Sequence, residues 1–238
     1  MLVRLLALPL CGSCLLPAAS AYEGVKPVRF FTNLAVGSPQ TIVAYGTSLT
    51  ASTAWVPLMK QWFDEQYPGK VTVFNGAQNG KTSEWGLANV KRQVIGHEPD
   101  LVFIEFAVND AKEGNRISVE QARSNLEAIM AAIRQANPRV EIVLLTMNDG
   151  LDVSGKKPAI STRPHLADYY AVYTQVAKDR KLPLIDLYPD WHALRERDPR
   201  QFVAYAPDGL HPNEEGTTAV TWPVVLNFLT AAKNPTGK

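Results

Sequence analysis

One serine and a distant aspartate–histidine pair are the residues of this 238-residue chain best suited to covalent chemistry. Ser48 follows a short apolar run in the segment Ala-Tyr-Gly-Thr-Ser-Leu-Thr, and Asp208 and His211 stand three residues apart in Asp-Gly-Leu-His. A serine hydroxyl becomes a good nucleophile when a neighbouring base takes its proton, and that base needs a third group to orient it. The spacing of Asp208 and His211 lets one loop supply both. These residues predict a catalytic triad for acyl transfer.

Each of these residues also has an ordinary structural explanation when taken alone. A serine after a strand is usually a turn residue or a helix cap, and a histidine before a proline is usually part of a loop. Asparagines such as Asn75, Asn79 and Asn109 often form turns. The catalytic interpretation therefore depends on whether the fold brings these segments together.

Strand-like and helix-like segments alternate along the chain, which indicates that they do meet. Short apolar runs rich in β-branched residues predict strands at 41–45, 71–74, 101–106, 140–147 and 184–187. Apolar residues at helical spacing predict helices at 53–67, 83–95, 118–136 and 165–180, and a last helix at 213–229 interrupted near Pro223.

Apolar strands separated by amphipathic helices indicate a parallel sheet covered on both faces, which is a three-layer α/β domain. Ligands of such sheets bind beyond the carboxyl ends of the strands. Ser48 follows the first predicted strand, a glycine- and asparagine-rich segment at 75–80 follows the second, and Asn109 follows the third. We therefore expect all three segments at one edge of the sheet.

With these blocks in this order, the chain resembles the SGNH/GDSL hydrolase superfamily across 41–229. The resemblance implies an α/β fold: one three-layer α/β/α sandwich with a parallel, flavodoxin-like, five-stranded sheet. It implies a serine carboxylic-ester hydrolase that needs no metal or other cofactor. Carried over by motif, it makes the triad Ser48, Asp208 and His211, and the oxyanion hole Ser48, Gly80 and Asn109.

Two positions depart from the family pattern, and one assignment has a second choice. Thr47 stands where the family usually has aspartate, and Ala107 where it has the glycine of Gly-x-Asn-Asp. Neither change removes a catalytic side chain, but the Ala107 methyl group is expected to narrow the pocket mouth or restrict the Asn109 loop. Gly76 is the second choice for the oxyanion glycine.

The start of the chain has the pattern of a secretory signal peptide. Residues 1–21 combine an early positive charge at Arg4, an apolar stretch and small residues before the expected cleavage point. We predict a signal peptide at 1–21, an N-terminal extension at 22–40 and the hydrolase domain at 41–238. A lipid anchor on Cys11 or Cys14 is the second interpretation. Cleavage would leave no stable membrane insertion and a secreted or periplasmic protein.

Charge and cysteine content exclude several classes of protein. The chain carries 24 basic and 23 acidic side chains, so it has no excess of positive charge to bind nucleic acid. Both cysteines lie within 1–21, so the mature protein would contain no disulfide and no cysteine-based zinc site. His165, Asp168 and His192 lack the tight spacing of metal ligands.

The predicted substrate is a small ester, with an acetyl group on a carbohydrate or another polar alcohol. The alternatives are a lipase, thioesterase or arylesterase of the same family, or a noncatalytic carbohydrate-binding protein on this fold. Trp85 and Trp191 lie near active-site segments and are candidates for the pocket wall. The long connection 148–164 is a candidate for its rim.

Overall fold

The computed structural model describes residues 24–234 and contains one five-stranded sheet. The strands are β1 (Gln40–Tyr45), β2 (Val71–Asn75), β3 (Leu101–Ile104), β4 (Glu141–Thr146) and β5 (Leu184–Asp186). All pairings are parallel and the spatial order is β2-β1-β3-β4-β5. This is the flavodoxin-like order, so the predicted sheet is confirmed.

Helices cover both faces of the sheet, as a buried parallel sheet requires. The helices are α1 (Val28–Ala35), α2 (Ser48–Ala51), α3 (Trp55–Gln66), α4 (Ser83–Gln93), α5 (Ala107–Asp110), α6 (Val119–Ala136), α7 (Leu166–Arg180), α8 (Tyr188–Arg197), α9 (Pro199–Tyr205), α10 (Glu214–Gly216) and α11 (Trp222–Lys233). Helices α1, α3 and α11 pack together on one face, and α4, α6 and α7 on the other. The predicted three-layer architecture is therefore confirmed.

Five helices were not expected from the sequence: α2 and α5 are single short turns, and α1, α8 and α9 are longer. Helix α1 lies within the segment 22–40 and packs Phe30 and Phe31 against Phe63 of α3, with ring centroids 5.7 and 6.0 Å apart. Helices α8 and α9 each begin with a proline in the first turn, and α9 buries only Phe202. Their apolar faces are too short to produce a clear helical pattern.

The last predicted helix is interrupted as expected, but it extends further. It begins at Glu214, passes through one wide π-helical segment at Thr217–Thr221 and continues as α11 to Lys233. The interruption ends just before Pro223. Proline has no backbone N–H, so this residue cannot donate the regular helical hydrogen bond.

The proposed signal peptide lies outside the described residues. Within 24–234, no helix is long and apolar enough to cross a membrane.

Candidate active site

Ser48 is the first residue of α2, directly beyond the end of β1. Thr47 caps this short helix, because its side-chain oxygen accepts a hydrogen bond from the Leu49 amide at 3.2 Å. The cap fixes the turn between strand and helix and points the Ser48 hydroxyl toward a different loop. There, Ser48 Oγ lies 2.8 Å from Nε2 of His211.

Asp208 holds the other side of the histidine ring. Its Oδ2 lies 2.6 Å from His211 Nδ1, while its Oδ1 accepts the backbone amides of Leu210 at 2.9 Å and His211 at 2.7 Å. Partial burial alone would raise the pKa of Asp208, but the hydrogen bonds from His211 and Leu210 outweigh it and lower that pKa. Asp208 therefore stays ionised, and the hydrogen bond to Nδ1 leaves Nε2 free to accept a proton.

The three predicted oxyanion donors face the same cleft as the serine. Gly80 is the third residue of a turn at 78–81 and has a φ of +72°, a conformation that glycine adopts without strain. Within the described residues, the backbone amides of Ser48 and Gly80 donate to no protein acceptor. Asn109 Nδ2 donates to the Lys81 carbonyl at 2.9 Å, which ties the Asn109 loop to the Gly80 turn.

Gly76, the second choice, has a different position. Its amide donates to the Ala44 carbonyl at 2.9 Å and so extends the pairing of β1 with β2. A Cβ at this residue would lie 2.5 Å from the Gln93 carbonyl oxygen, so a glycine is needed for close packing. The geometry favours Gly80 for the oxyanion hole.

Asp110, the residue after Asn109, fixes the position of the Asn109 loop through hydrogen bonds. Its Oδ1 accepts the Ser83 amide at 2.8 Å, and the Ser83 hydroxyl accepts a hydrogen bond from Asn125 of α6 at 2.9 Å. Burial raises the pKa of Asp110 to about 6, although the hydrogen bonds from Ser83 oppose this. The network anchors α5, and with it Asn109, to α4 and α6.

These groups line one cleft of about 670 Å³. Its wall also includes part of the 148–164 connection, which we expected to form the rim. The lining residues are Ser48, Ser52, Asn79, Gly80, Asn109, Lys112, Asn115, Lys156, Lys157, Pro158, Ala159, Arg163, Asp208, Leu210 and His211. The cleft therefore brings together the candidate nucleophile, the candidate base with its carboxylate partner, and the predicted amide donors.

Comparison with known proteins identifies the family of this chain. The family model for the GDSL-like lipase/acylhydrolase family matches residues 41–219. The chain belongs to this family. It is thus a carboxylic-ester hydrolase on the α/β fold described above.

Among curated relatives, the hydrolase is 25% identical over 170 residues to the Escherichia coli thioesterase 1/protease 1/lysophospholipase L1, with 71% of each chain covered. It is 25% identical over 192 residues to an arylesterase from Vibrio mimicus, covering 78% of this chain and 86% of the relative. Among solved structures, it resembles a catalytic mutant of an acetylxylan esterase from Geobacillus stearothermophilus. That match has a TM-score of 0.66 and 19% identity, covering 81% of this chain and 95% of the other.

Glu105 is a buried residue of this hydrolase that the sequence reasoning missed. It follows β3, is 1% exposed, and accepts hydrogen bonds from the Thr47 amide at 2.6 Å and from the Thr50 hydroxyl at 2.7 Å. The Thr47 hydroxyl also donates to it, at 2.9 Å. A Cβ on Gly46 would lie 2.2 Å from Glu105 Oε1, so the glycine makes room for the carboxylate. Glu105 therefore holds the segment 47–50, which carries Ser48, against the end of β3.

This carboxylate explains how the hydrolase tolerates threonine at position 47. The usual aspartate of the family motif is absent, but an acidic group still binds the turn from the neighbouring strand. The available sequence signal was a single charged residue in the otherwise apolar run 101–106. A buried carboxyl group needs hydrogen-bond partners, and here Thr47 and Thr50, on either side of Ser48, supply them.

Three residues that we expected at the pocket wall or mouth do not line the cleft. The Ala107 methyl group is buried at the start of α5 and does not line the cleft, so it does not narrow the mouth. Trp191 is fully buried and donates to the Thr221 hydroxyl at 3.1 Å. Trp85 packs on Tyr45 instead of lining the cleft. Proximity in sequence to an active-site loop did not fix the direction of these side chains.

The candidate metal ligands lie apart from this site. His165 contacts Asp168 at 3.4 Å on the surface, and His192 Nδ1 lies 2.7 Å from the buried Asp149 carboxylate. Among residues 24–234, no group of three or more histidine, cysteine, aspartate or glutamate side chains is close enough together to hold a metal ion. Asp149 also binds Arg195 at 2.9 Å and the Gly150 amide at 2.7 Å, so it anchors the start of the 148–164 connection.

The account of Glu105 makes a prediction about stability. Burial raises the pKa of Glu105 to about 8, although hydrogen bonds from Thr50 and Thr47 lower it. The folded state thus favours the protonated form of Glu105. The contribution of this preference to the free energy of unfolding is fully present below pH 4.5 and is lost as the pH rises through about 8. In Glu105→Gln this loss is absent. The free energy of unfolding of the variant should therefore increase relative to wild type between pH 5 and pH 9, as measured by urea denaturation.

Glu105→Leu is the matched control. It removes the acceptor for the Thr47 amide and the Thr50 hydroxyl, so at every pH it should be less stable than Glu105→Gln by about 2–4 kcal/mol. It should also lower kcat, because the Ser48 turn loses its support. A difference between Glu105→Gln and wild type that does not vary with pH would contradict the assignment of a protonated buried carboxyl.

Proposed function

We propose that this hydrolase is an exported serine esterase. It removes short acyl groups, principally acetyl, from a carbohydrate or a small polar alcohol, through an acyl-enzyme on Ser48. The observation that carries the proposal is the continuous hydrogen-bonded chain of Ser48, His211 and Asp208 at the wall of a polar cleft.

In the first half-reaction, His211 Nε2 takes the Ser48 proton while Oγ attacks the ester carbonyl. The carbonyl π electrons move to oxygen and form a tetrahedral oxyanion. The Ser48 and Gly80 amides and the Asn109 side chain are the donors proposed to stabilise it. When the intermediate collapses, the C–O bond to the alcohol breaks and His211 gives its proton to the leaving oxygen.

In the second half-reaction, water replaces the alcohol. His211 takes a proton from water as it attacks the acyl-enzyme, and the same oxyanion donors stabilise the second intermediate. Its collapse releases the carboxylic acid and returns the proton to Ser48. Asp208 stays ionised throughout and stabilises the imidazolium that forms twice in each turnover.

The cleft supports a polar alcohol and a short acyl group. Apart from Gly80, only Pro158, Ala159 and Leu210 among the described lining residues are apolar, which is few side chains for a long hydrophobic groove. Burial of a long acyl chain would need such a groove, since apolar surface provides most of the binding free energy for fatty acids. The acetylxylan esterase with a similar fold is consistent with this proposal.

Export is part of the proposal and rests on the signal-peptide pattern of residues 1–21. Sequencing the amino terminus of the protein recovered from the producing cells tests it. A mature terminus near Tyr22 supports secretion or periplasmic location. A terminus at Met1 contradicts it.

Acyl-chain preference tests the proposed substrate class. The values of kcat/KM should fall from p-nitrophenyl acetate to butyrate to octanoate, by at least about tenfold over the series, because the polar cleft gives longer chains no apolar contact. Release of acetate from acetylated xylo-oligosaccharides is the second readout. A rising kcat/KM toward octanoate, with no acetate released from saccharides, would instead indicate a lipase or a thioesterase.

A further inference from the structure

The active-site cleft is strongly cationic, although the whole chain is almost neutral. Four basic side chains line it: Lys112, Lys156, Lys157 and Arg163. Among the described residues of the wall, Asp208 is the one acidic side chain, and it is engaged with His211. The full sequence has 24 basic and 23 acidic side chains, so this concentration of positive charge is local to the cleft and does not reflect the composition.

Arg163 is the most informative of the four because it is buried. It is 5% exposed; its Nε donates to the Val108 carbonyl at 2.7 Å, and Nη1 donates to the Ala159 carbonyl at 2.7 Å. No carboxylate of residues 24–234 lies within 4.0 Å of its guanidinium group. Burial of a charge without a counter-ion is costly, and most buried arginines are paired.

Within the described residues, the groups that accept hydrogen bonds from Arg163 are neutral: the carbonyls of Val108 and Ala159 and the Thr162 hydroxyl. Burial lowers the pKa of Arg163, and Tyr170 and Asp152 oppose this effect from a distance. The Asp152 carboxylate is itself engaged by the backbone amides of Ala159 at 2.6 Å and Ile160 at 2.9 Å. An anion bound in the cleft would supply the missing counter-charge.

The segment that carries three of these cations is held in place on several sides. Asp152 closes the loop by accepting the hydrogen bonds from backbone amides just described. Arg163 connects the segment to the carbonyl of Val108, next to Asn109. The Leu151 amide donates to the Gly209 carbonyl at 2.9 Å, directly beside the Asp208–His211 loop. The positive charges are thus preorganised relative to the nucleophile.

Lys112 lies on a separate loop after α5, so the cleft presents positive charge from two loops. Lys112, Lys156 and Lys157 are exposed, and within the described residues none has a carboxylate within 4.0 Å. Their ammonium groups are therefore available to a ligand. An acetyl group carries no charge, so the binding partner must be the alcohol part of the ester.

We propose that the natural substrate is an ester of an anionic alcohol, whose carboxylate or other acid group binds Arg163 and the lysines while its acyl group faces Ser48. This inference rests on the proposed esterase function and names its substrate class. A uronic-acid residue bearing an acyl group has this chemistry. The cations act on substrate binding and on the rate of encounter, because a positive cleft attracts anions.

Paired acetyl esters that differ in charge provide the test. The probes are 4-acetoxybenzoate, which is anionic at pH 7, and 4-acetoxybenzamide, a neutral analogue of nearly the same shape. Each kcat/KM of the full chain is divided by the rate of hydroxide hydrolysis of the same ester, which corrects for intrinsic reactivity. The corrected ratio of anionic to neutral ester should be at least about tenfold at low ionic strength. It should fall toward unity at about 0.5 M salt, because screening weakens charge attraction.

The double variant Lys156→Gln/Lys157→Gln is expected to lower this ratio by about fivefold. Lys70→Gln is the matched control, since Lys70 is exposed at the opposite edge of the sheet, just before β2, and should leave the ratio unchanged. Arg163→Lys keeps the charge but loses the planar fork and should lower the ratio. The double variant does not depend on Arg163, which also supports the loop.

The outcomes separate the two claims. Turnover of both esters with a ratio near one, insensitive to salt and to Lys156→Gln/Lys157→Gln, would overturn the anionic-substrate inference and leave the esterase function intact. Absence of turnover for both esters by the folded protein would overturn the esterase function and the inference with it. A ratio that falls equally in Lys70→Gln would show a general effect of net charge and would also overturn the inference.

Discussion

Ser48→Ala should lower kcat for p-nitrophenyl acetate by at least about 10,000-fold, because the substitution removes the hydroxyl proposed to form the acyl-enzyme. The remaining activity would come from the oxyanion donors and from binding. The fold should be unaffected, since within residues 24–234 the hydrogen bond of the Ser48 hydroxyl is to His211 Nε2 and to no backbone group. Steady-state kinetics together with circular dichroism of the variant test this expectation.

Ser52→Ala is the matched control for this substitution. Ser52 lines the same cleft, but its hydroxyl donates to Asn79 Oδ1 at 2.7 Å and has no contact with His211. A change of less than about tenfold is expected, because no proton transfer passes through it. If Ser52→Ala lost as much activity as Ser48→Ala, the assignment of the nucleophile would be wrong.

Asp208→Asn should lower kcat by about 10,000-fold while the protein remains folded. The reason lies in the hydrogen bonds of the carboxylate. Oδ1 accepts two backbone amides, so an asparagine at this position must keep its oxygen there and turn its NH₂ group toward His211 Nδ1. His211 would then carry its proton on Nε2 and could not accept one from Ser48.

Asp168→Asn controls for the loss of a carboxylate near a histidine. Asp168 also stands three residues from a histidine, His165, but this pair is exposed and lies outside the cleft. Its kcat should match the wild-type value. The tautomer argument also predicts that Asp208→Asn lowers kcat much more than it raises KM. An effect confined to KM would show that Asp208 acts in binding.

The sheet and the contacts among Ser48, His211 and Asp208 were predictable from the sequence because they depend on local signals. Each buried parallel strand is a short apolar run, and polar residues follow directly at its carboxyl end. Ser48 follows β1 and Asn109 follows β3, the two adjacent strands at which the strand order reverses. The spacing of Asp208 and His211 fixes their mutual contact within one loop.

The remaining features depend on contacts between residues far apart in sequence. Glu105 meets Thr47 across 58 positions, and only the pairing of β1 with β3 brings them together. Arg163 meets the Val108 carbonyl across 55 positions, so the charge of the cleft wall was not visible in the connection 148–164 alone. Helix α1 is fixed by aromatic packing on α3 and has few local signals of its own.

The most direct test of the account is to locate the covalent adduct that a fluorophosphonate forms with the wild-type protein. The serine that attacks an ester also attacks this phosphorus centre, so peptide mass spectrometry of the labelled protein identifies the nucleophile. The account predicts one adduct on Ser48, absent in Ser48→Ala and strongly slowed in Asp208→Asn. An adduct on another residue, or equal labelling of Ser48→Ala, would contradict the assignment of Ser48 as the nucleophile.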